Sequence, residues 1–323
     1  MALGSTSRRL WLSLLLLVTL MTAPLSVSAQ SNDGESANDD PSSGDTAEDD
    51  AADEEMQQPD ESTQDDQAQN GSGETVLPTP LLRDVNGDGT VNIDAFGDSI
   101  TRGVGDFIPS GAEVEGVETP RGEAGYPLRV ELLLGVSVAN LGLPGERLTN
   151  NGLRRFASNH SVRNPDFVVI SGGTNDAIDQ TLSSDYFRSV QTMLNIAHAS
   201  GSVPILATVP RTCCSSSGLN TFIDQYNEAL HTLAVVNDVA LADISKAYDN
   251  TCNGSNRCFL LNRPEGVHPN ESGYDVSGEV VIATLLGIDI FAPEGPTLVE
   301  QALGLEPGAV KTIPDPVSMA PAQ

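Results

Sequence analysis

The stretch Phe96-Gly97-Asp98-Ser99-Ile100-Thr101 directly follows a short apolar run, Val91 to Phe96, whose composition predicts a β-strand. A Gly-Asp-Ser turn at the end of such a strand presents a hydroxyl at the edge where open α/β sheets bind their ligands. A serine in this position is also a common turn residue or helix N-cap. Its meaning therefore depends on what the rest of the chain brings to the same edge.

The chain continues as an alternation of strand-like and helix-like segments. Such an alternation predicts right-handed crossovers and a parallel sheet. The further predicted strands are 136–141, 167–170, 203–209 and 239–244, and the predicted helices are 126–134, 183–199, 219–236 and 271–286. We therefore predict an α/β fold with a five-stranded parallel sheet in one domain, 76–290, which is long enough for a full core.

Three later segments supply the groups that a nucleophilic serine requires. A hydroxyl needs a base to take its proton, which His268 can be, and Glu265 can hold the imidazole in the required tautomer. The tetrahedral oxyanion needs hydrogen-bond donors, for which Asn175 offers a side-chain amide and Gly142 a backbone N–H. Since Ser99, Gly142 and Asn175 each follow a predicted strand, we expect them to converge on one edge of the sheet.

These four blocks, in this order, resemble the SGNH hydrolases, also called the GDSL family, over 91–287. In that family the Ser, Gly, Asn and His of four separate blocks build the active site, and they correspond here to Ser99, Gly142, Asn175 and His268. The resemblance implies a flavodoxin-like three-layer α/β/α sandwich and a serine ester hydrolase. It also implies an oxyanion hole made of the Ser99 N–H, the Gly142 N–H and the Asn175 amide.

The chain departs from the family at one position. The family usually has Asp three residues before the His, where this chain has Glu265. Ser-His-Glu triads are workable, as other hydrolase folds show. The alternative is a dyad, in which a backbone carbonyl holds His268.

The resemblance implies a small-molecule or glycan ester as substrate and no required cofactor. SGNH relatives include carbohydrate acetylesterases, lysophospholipases, thioesterases and arylesterases, so the substrate is an acetylated carbohydrate or an acyl ester such as a lysophospholipid. We expect a monomer. The alternative from another class is a non-catalytic carbohydrate-binding or cell-surface module on the same fold. The joint presence of Ser99, Asn175 and His268 disfavours that alternative.

The ends of the chain differ in composition from its centre. Residues 1–29 have a basic start, a leucine-rich core and Val27-Ser28-Ala29, the pattern of a cleaved signal peptide, with an uncleaved anchor as the alternative. Residues 30–75 hold sixteen acidic residues and no Lys or Arg, which predicts a disordered linker. Several prolines after 290 predict an irregular tail, 291–323. We therefore expect a secreted, periplasmic or cell-surface protein without a stable membrane span.

The charge balance excludes some classes of partner. The formal net charge is −29, and the only lysines are Lys246 and Lys311. Nucleic acids and anionic membranes are bound through basic contacts. We therefore predict that the protein binds neither.

Four cysteines behind a predicted secretion signal suggest two disulfides. A bond between adjacent Cys213 and Cys214 would force an unusual peptide geometry. We therefore expect these two to pair with Cys252 and Cys258, in an order that the sequence leaves open. A metal site is the alternative, but the paired Cys-x-x-Cys spacing and a nearby His are missing.

A polar segment before the first strand resembles the start of a calcium loop. Asp84, Asn86 and Asp88 occupy positions one, three and five of the EF-hand pattern, with glycine at six. The twelfth position, which should carry a chelating carboxylate, is Ala95, and Asp94 lies one place early. The segment is therefore a candidate structural calcium site, with a polar glycine-rich turn as the alternative.

Overall fold

The computed structural model describes residues 82–106, 125–255 and 257–315, together with the backbone of two short strands between the first two ranges. The predicted signal peptide, the acidic linker and residues 316–323 lie outside the described residues. The strands are β1 (Asn92–Gly97), β2 (Glu113–Val114), β3 (Val117–Glu118), β4 (Ser137–Gly142), β5 (Phe167–Ser171), β6 (Val203–Ala207) and β7 (Ala240–Ala242). The α-helices are α1 (Ser99–Arg102), α2 (Gly125–Leu134), α3 (Leu153–Arg163), α4 (Thr174–Ile178), α5 (Ser183–Ser200), α6 (Asn220–Asn237), α7 (Ile244–Cys252), α8 (Glu271–Leu286) and α9 (Gly295–Leu303).

The main sheet has five strands in the order β4-β1-β5-β6-β7, and every neighbouring pair is parallel. The predicted five-stranded parallel sheet is therefore confirmed. In the register, Gly97 at the end of β1 lies opposite Gly142 of β4 and Ser171 of β5. The carboxyl ends of these three strands thus reach the same edge, and the segments that follow them lie side by side.

Apolar side chains cover both faces of this sheet, because its strands are buried on both sides. In β5, Phe167 and Val169 belong to the core beneath α2, α7 and α8, whereas Val168 and Ile170 belong to the core beneath α3, α5 and α6. All four are almost completely buried. The result is the expected three-layer α/β/α sandwich.

The C-terminal region differs from the irregular tail predicted after residue 290. Helix α9 packs on α8 and buries Val299. The Glu300 carboxylate accepts hydrogen bonds from the Gly308 and Val310 N–H groups, which fixes the chain beyond the helix. The prediction is wrong for α9 because Pro296 lies in its first turn, where proline costs no helical hydrogen bond.

The predicted cysteine pairing is also wrong. Cys252 and Cys258 form a disulfide with a Cα–Cα distance of 5.1 Å, and Cys213 and Cys214 are free. Cys252 ends α7, and the turn that follows returns the chain to within reach of it after six residues. Cys213 lies beside this loop, where its thiol makes a long hydrogen bond of 4.0 Å to the Cys258 carbonyl oxygen but no disulfide.

None of the helices in the described part of the chain is long and apolar enough to cross a membrane.

Candidate active site

Ser99 is the first residue of α1 and follows β1 by a single residue. Asp98 is the N-cap of this helix, and its Oδ1 accepts a hydrogen bond from the Ile100 N–H at 2.9 Å. The Ser99 N–H is one of the donors that a helix N-terminus leaves without an intrahelical partner. It makes no hydrogen bond to any described residue. The turn therefore presents a hydroxyl and a free amide at the edge of the sheet.

His268 lies between Ser99 and Glu265. Its Nε2 is 2.9 Å from Ser99 Oγ, and its Nδ1 is 2.8 Å from Glu265 Oε1. The same carboxylate oxygen accepts the His268 backbone N–H at 3.2 Å. With the proton on Nδ1 facing the carboxylate, Nε2 is free to accept the Ser99 hydroxyl proton. The fold thus brings together the three residues that the sequence suggested for a triad.

The loop that carries Glu265 is held by the segment around Cys213. The Cys213 N–H donates to the Gly266 carbonyl at 2.8 Å, and Ser216 Oγ donates to the Glu265 carbonyl at 2.7 Å. The side chain of Glu265 is 44% exposed, so water reaches the carboxylate. The hydrogen bonds to its backbone therefore fix the position of the acid in the absence of tight packing.

Asn175 lies in the first turn of α4, directly after β5 and two glycines. Its Nδ2 donates to the Glu146 carbonyl at 3.0 Å and lies 3.4 Å from Asp98 Oδ2. One of the two amide N–H groups is thus strongly bound, and the second makes only a long contact. Asn175 is therefore placed beside the Ser99 turn, and its long hydrogen bond to Asp98 is the weaker of the two that Nδ2 makes.

The structure corrects the prediction for Gly142. Its N–H donates to Asn140 Oδ1 at 3.0 Å, so the donor is occupied. A Cβ at this position would lie 2.2 Å from the Arg102 backbone nitrogen, so glycine is needed for close packing of β4 against α1.

Gly145, three residues further on, has the free donor that Gly142 lacks. The Glu146 N–H donates to the Leu143 carbonyl at 3.1 Å and closes a turn over Pro144 and Gly145. Gly145 has a φ of 78°, as the third residue of a type II turn requires. Its N–H is exposed and makes no hydrogen bond within the described part of the chain. The Pro-Gly pair was the sequence signal that could have distinguished the two glycines.

Asp98 is a buried carboxyl beneath the nucleophile. Burial raises its pKa to about 6, although the Ile100 N–H and nearby His268 favour the charged form. The folded protein therefore holds this proton more tightly than the unfolded chain does. Its contribution to stability is present below the ordinary value of 3.8 and is lost as the pH rises through about 6. The loss amounts to about 3 kcal/mol.

We expect one aspartate of the protein to titrate near pH 6. The measurement is a ¹³C NMR titration of protein labelled at the aspartate carboxyl carbons, with Asp98→Asn to identify the signal. An Asp98 carboxyl that titrates at its ordinary value would contradict the assignment of burial as the dominant cause.

The candidate calcium segment is a network of local turns. Asp84 accepts hydrogen bonds from the Gly87 and Gly89 N–H groups, and Asp88 accepts from Thr90. Asp94 pairs with Arg163. Within the described ranges, no three His, Cys, Asp or Glu side chains are grouped so as to hold a metal. Calcium at Asp84, Asn86 and Asp88 stays a prediction.

A cavity of about 740 Å³ is lined by residues of the segments 147–153 and 180–192, and by none of Ser99, Gly145, Asn175 and His268. Thr149 lines it, and this residue also donates a hydrogen bond to Asp176, the neighbour of Asn175. The side chains around the cavity are mostly polar: Arg147, Asn150, Gln180, Thr181, Asp185, Arg188, Ser189 and Thr192, with Leu153 and Leu182 as the apolar members.

Comparisons with known proteins bear on the family and the fold of the chain. The family model described as GDSL-like Lipase/Acylhydrolase family matches residues 95–276, more than half of the chain. The acetylxylan esterase Axe2 of Geobacillus stearothermophilus, solved as a catalytic mutant, is similar with 20% identity and a TM-score of 0.50, over 60% of this chain and 94% of that one. LAE5, an α/β hydrolase enzyme from the metagenome of Lake Arreo, Spain, has 19% identity, a TM-score of 0.50 and the same coverage. No curated protein matches the chain by sequence.

Proposed function

The chain belongs to the GDSL-like lipase/acylhydrolase family and is a serine ester hydrolase, and we propose that Ser99, His268 and Glu265 carry its reaction through an acyl-enzyme. The observation that carries the proposal is the continuous chain of contacts from Ser99 Oγ through the His268 ring to Glu265 Oε1, at 2.9 and 2.8 Å. Such a chain is the arrangement that activates a serine hydroxyl.

The reaction begins when Ser99 Oγ attacks the ester carbonyl carbon while its proton passes to His268 Nε2. Glu265 stabilises the imidazolium that forms. The Ser99 and Gly145 N–H groups and Asn175 Nδ2 stabilise the negative charge on the carbonyl oxygen. The bond to the alcohol then breaks, and His268 returns the proton to that alcohol. Water, activated by the same imidazole, next cleaves the acyl group from Ser99 and restores the free enzyme.

A fluorophosphonate probe tests the nucleophile directly. The probe loses fluoride as its phosphorus bonds to an activated serine oxygen, so we expect stoichiometric labelling of Ser99, located by peptide mass spectrometry. The alternative of a non-catalytic module on this fold predicts no labelling at any serine. Labelling at a serine other than Ser99 would contradict the proposal.

We favour an acetylated carbohydrate as the substrate. The polar cavity lined by Thr149, whose hydroxyl bonds to the neighbour of Asn175, offers hydroxyl, amide and guanidinium groups of the kind that bind sugar hydroxyls. An acyl ester such as a lysophospholipid is the second candidate, because Leu143 and Ile178, both about half exposed, lie within three residues of Gly145 and Asn175 along the chain. A profile against acetylated xylo-oligosaccharides and nitrophenyl esters of increasing chain length distinguishes them. Turnover that rises with chain length would favour the second candidate.

We further propose that the enzyme is secreted as a monomer after cleavage at residue 29. The Cys252–Cys258 disulfide supports secretion, because disulfides persist in oxidising compartments. Expression of the full chain in a secreting host, followed by N-terminal sequencing of the product, tests the cleavage site. Light scattering of the same product gives its oligomeric state.

A further inference from the structure

The three proposed oxyanion donors lie on separate segments of the chain. Ser99 follows β1, Gly145 lies between β4 and α3, and Asn175 lies in the first turn of α4. A displacement of about 1 Å between such groups is enough to lower a rate by about 100-fold. We propose that Arg155, paired with Glu146, is a positioning residue that fixes the three donors relative to one another. This inference rests on the proposed function.

Arg155 joins the nucleophile strand to the loop that carries Gly145. Its Nε donates to Glu146 Oε1 and Oε2 at 2.9 and 2.8 Å, and Nη2 also contacts Oε2. The same Nη2 donates to the Gly97 carbonyl at 3.2 Å, two residues before Ser99. The guanidinium lies 4.1 Å from the centre of the Phe96 ring, which adds a cation–π contact at the end of β1.

Glu146 extends this connection to the other two donors. Its carbonyl accepts Asn175 Nδ2 at 3.0 Å, and its N–H closes the turn that presents the Gly145 N–H. The side chain is only 4% exposed, and a carboxylate so buried is costly unless it is paired. Arg155 is the one cation bound to it in the described part of the chain. Loss of the guanidinium would therefore release the backbone on which Gly145 and Asn175 depend.

The chain contains a matched ion pair without these contacts. Arg163 Nε donates to Asp94 Oδ1 and Oδ2 at 2.8 and 2.9 Å, and the Asp94 side chain is 2% exposed. Both arginines belong to α3, and both pair with a buried carboxylate. Arg163, at the opposite end of that helix, pairs with Asp94 five residues before Ser99 and has no bond to the Gly145 turn or to Asn175. It therefore separates the effect of losing an ion pair from the effect of displacing the donors.

The experiment compares Arg155→Gln with Arg163→Gln in the full chain, with a short-chain nitrophenyl ester as substrate. We expect Arg155→Gln to lower kcat by about 100-fold with KM changed by less than about threefold, since only transition-state contacts are lost. The inhibition constant of phenylboronic acid, which forms a tetrahedral adduct on the serine, should rise by a similar factor. Arg163→Gln should keep kcat within about threefold of the wild type, although its melting temperature should fall by about as much as that of Arg155→Gln.

Arg155→Lys provides a second variant should Arg155→Gln fail to fold. It keeps the charge but loses the planar fork that reaches Glu146 and Gly97 together, so its kcat should lie between those of Arg155→Gln and the wild type. The inference is overturned if both Arg155 variants keep kcat within about twofold, or if Arg163→Gln loses as much kcat as Arg155→Gln. Turnover by Ser99→Ala at the wild-type rate would instead overturn the proposed function itself.

Discussion

Replacement of Ser99 by alanine is expected to lower kcat on a short-chain nitrophenyl ester by about 10⁴- to 10⁶-fold. The substitution removes only the hydroxyl group. The oxygen of that group is the atom that bonds to the acyl group in the proposed reaction. The oxyanion donors and the remaining site stay in place, so residual turnover above the uncatalysed rate is expected. The measurement is steady-state kinetics, with circular dichroism to show that the variant is folded.

The structure supplies a matched control for this substitution. Ser200 Oγ lies 2.7 Å from Nε2 of His160, so the chain contains a second hydrogen-bonded Ser–His pair. That pair is not an activated nucleophile, because Ser200 also donates to the Ala197 carbonyl at 2.8 Å, and burial lowers the pKa of His160 without an acid beside it. Ser200→Ala should therefore retain full activity. Equal losses in the two variants would show that the assay does not report on Ser99.

The architecture could be predicted from the sequence because its signals are local. The five strands are short runs of apolar residues separated by amphipathic helices, and all were found within one or two residues of their predicted bounds. The convergence of Ser99 and Asn175 followed from the geometry of a parallel sheet, which places all strand ends at one edge. The family match over 95–276 confirms the resemblance that the four blocks indicated.

The details that the sequence did not yield depend on contacts between distant segments. The Pro144-Gly145 pair hints at the turn that frees the second glycine N–H, but only the contact with the Asn140 side chain shows that the Gly142 N–H is occupied. The pairing of Cys252 with Cys258 depends on how the turn after α7 folds back. Arg155 carries no motif, and its relation to Asn175 emerges only through the Glu146 carbonyl.

The role of Glu265 gives the second large expected effect. Glu265→Gln should lower kcat by about 10³-fold, since a neutral amide cannot stabilise the imidazolium and can hold the ring in the wrong tautomer. The expected loss is at the lower end for a triad acid because the carboxylate is 44% exposed and water compensates in part. Glu265→Asp keeps the charge but shortens the side chain by one methylene. We expect it to retain more activity than the glutamine variant and less than the wild type.

The same series decides between a triad and a dyad. If a backbone carbonyl held His268, the loss of the carboxylate charge would matter little, and Glu265→Gln would keep kcat within about threefold of the wild type. Glu271→Gln is the control, because Glu271 is an exposed acid three residues after His268, in the first turn of α8. A long-range electrostatic effect would reduce both variants alike. A loss confined to Glu265→Gln requires the direct contact between Glu265 Oε1 and His268 Nδ1. Glu265 then replaces the usual aspartate because its loop, held by Cys213 and Ser216, places the carboxylate at 2.8 Å from the ring.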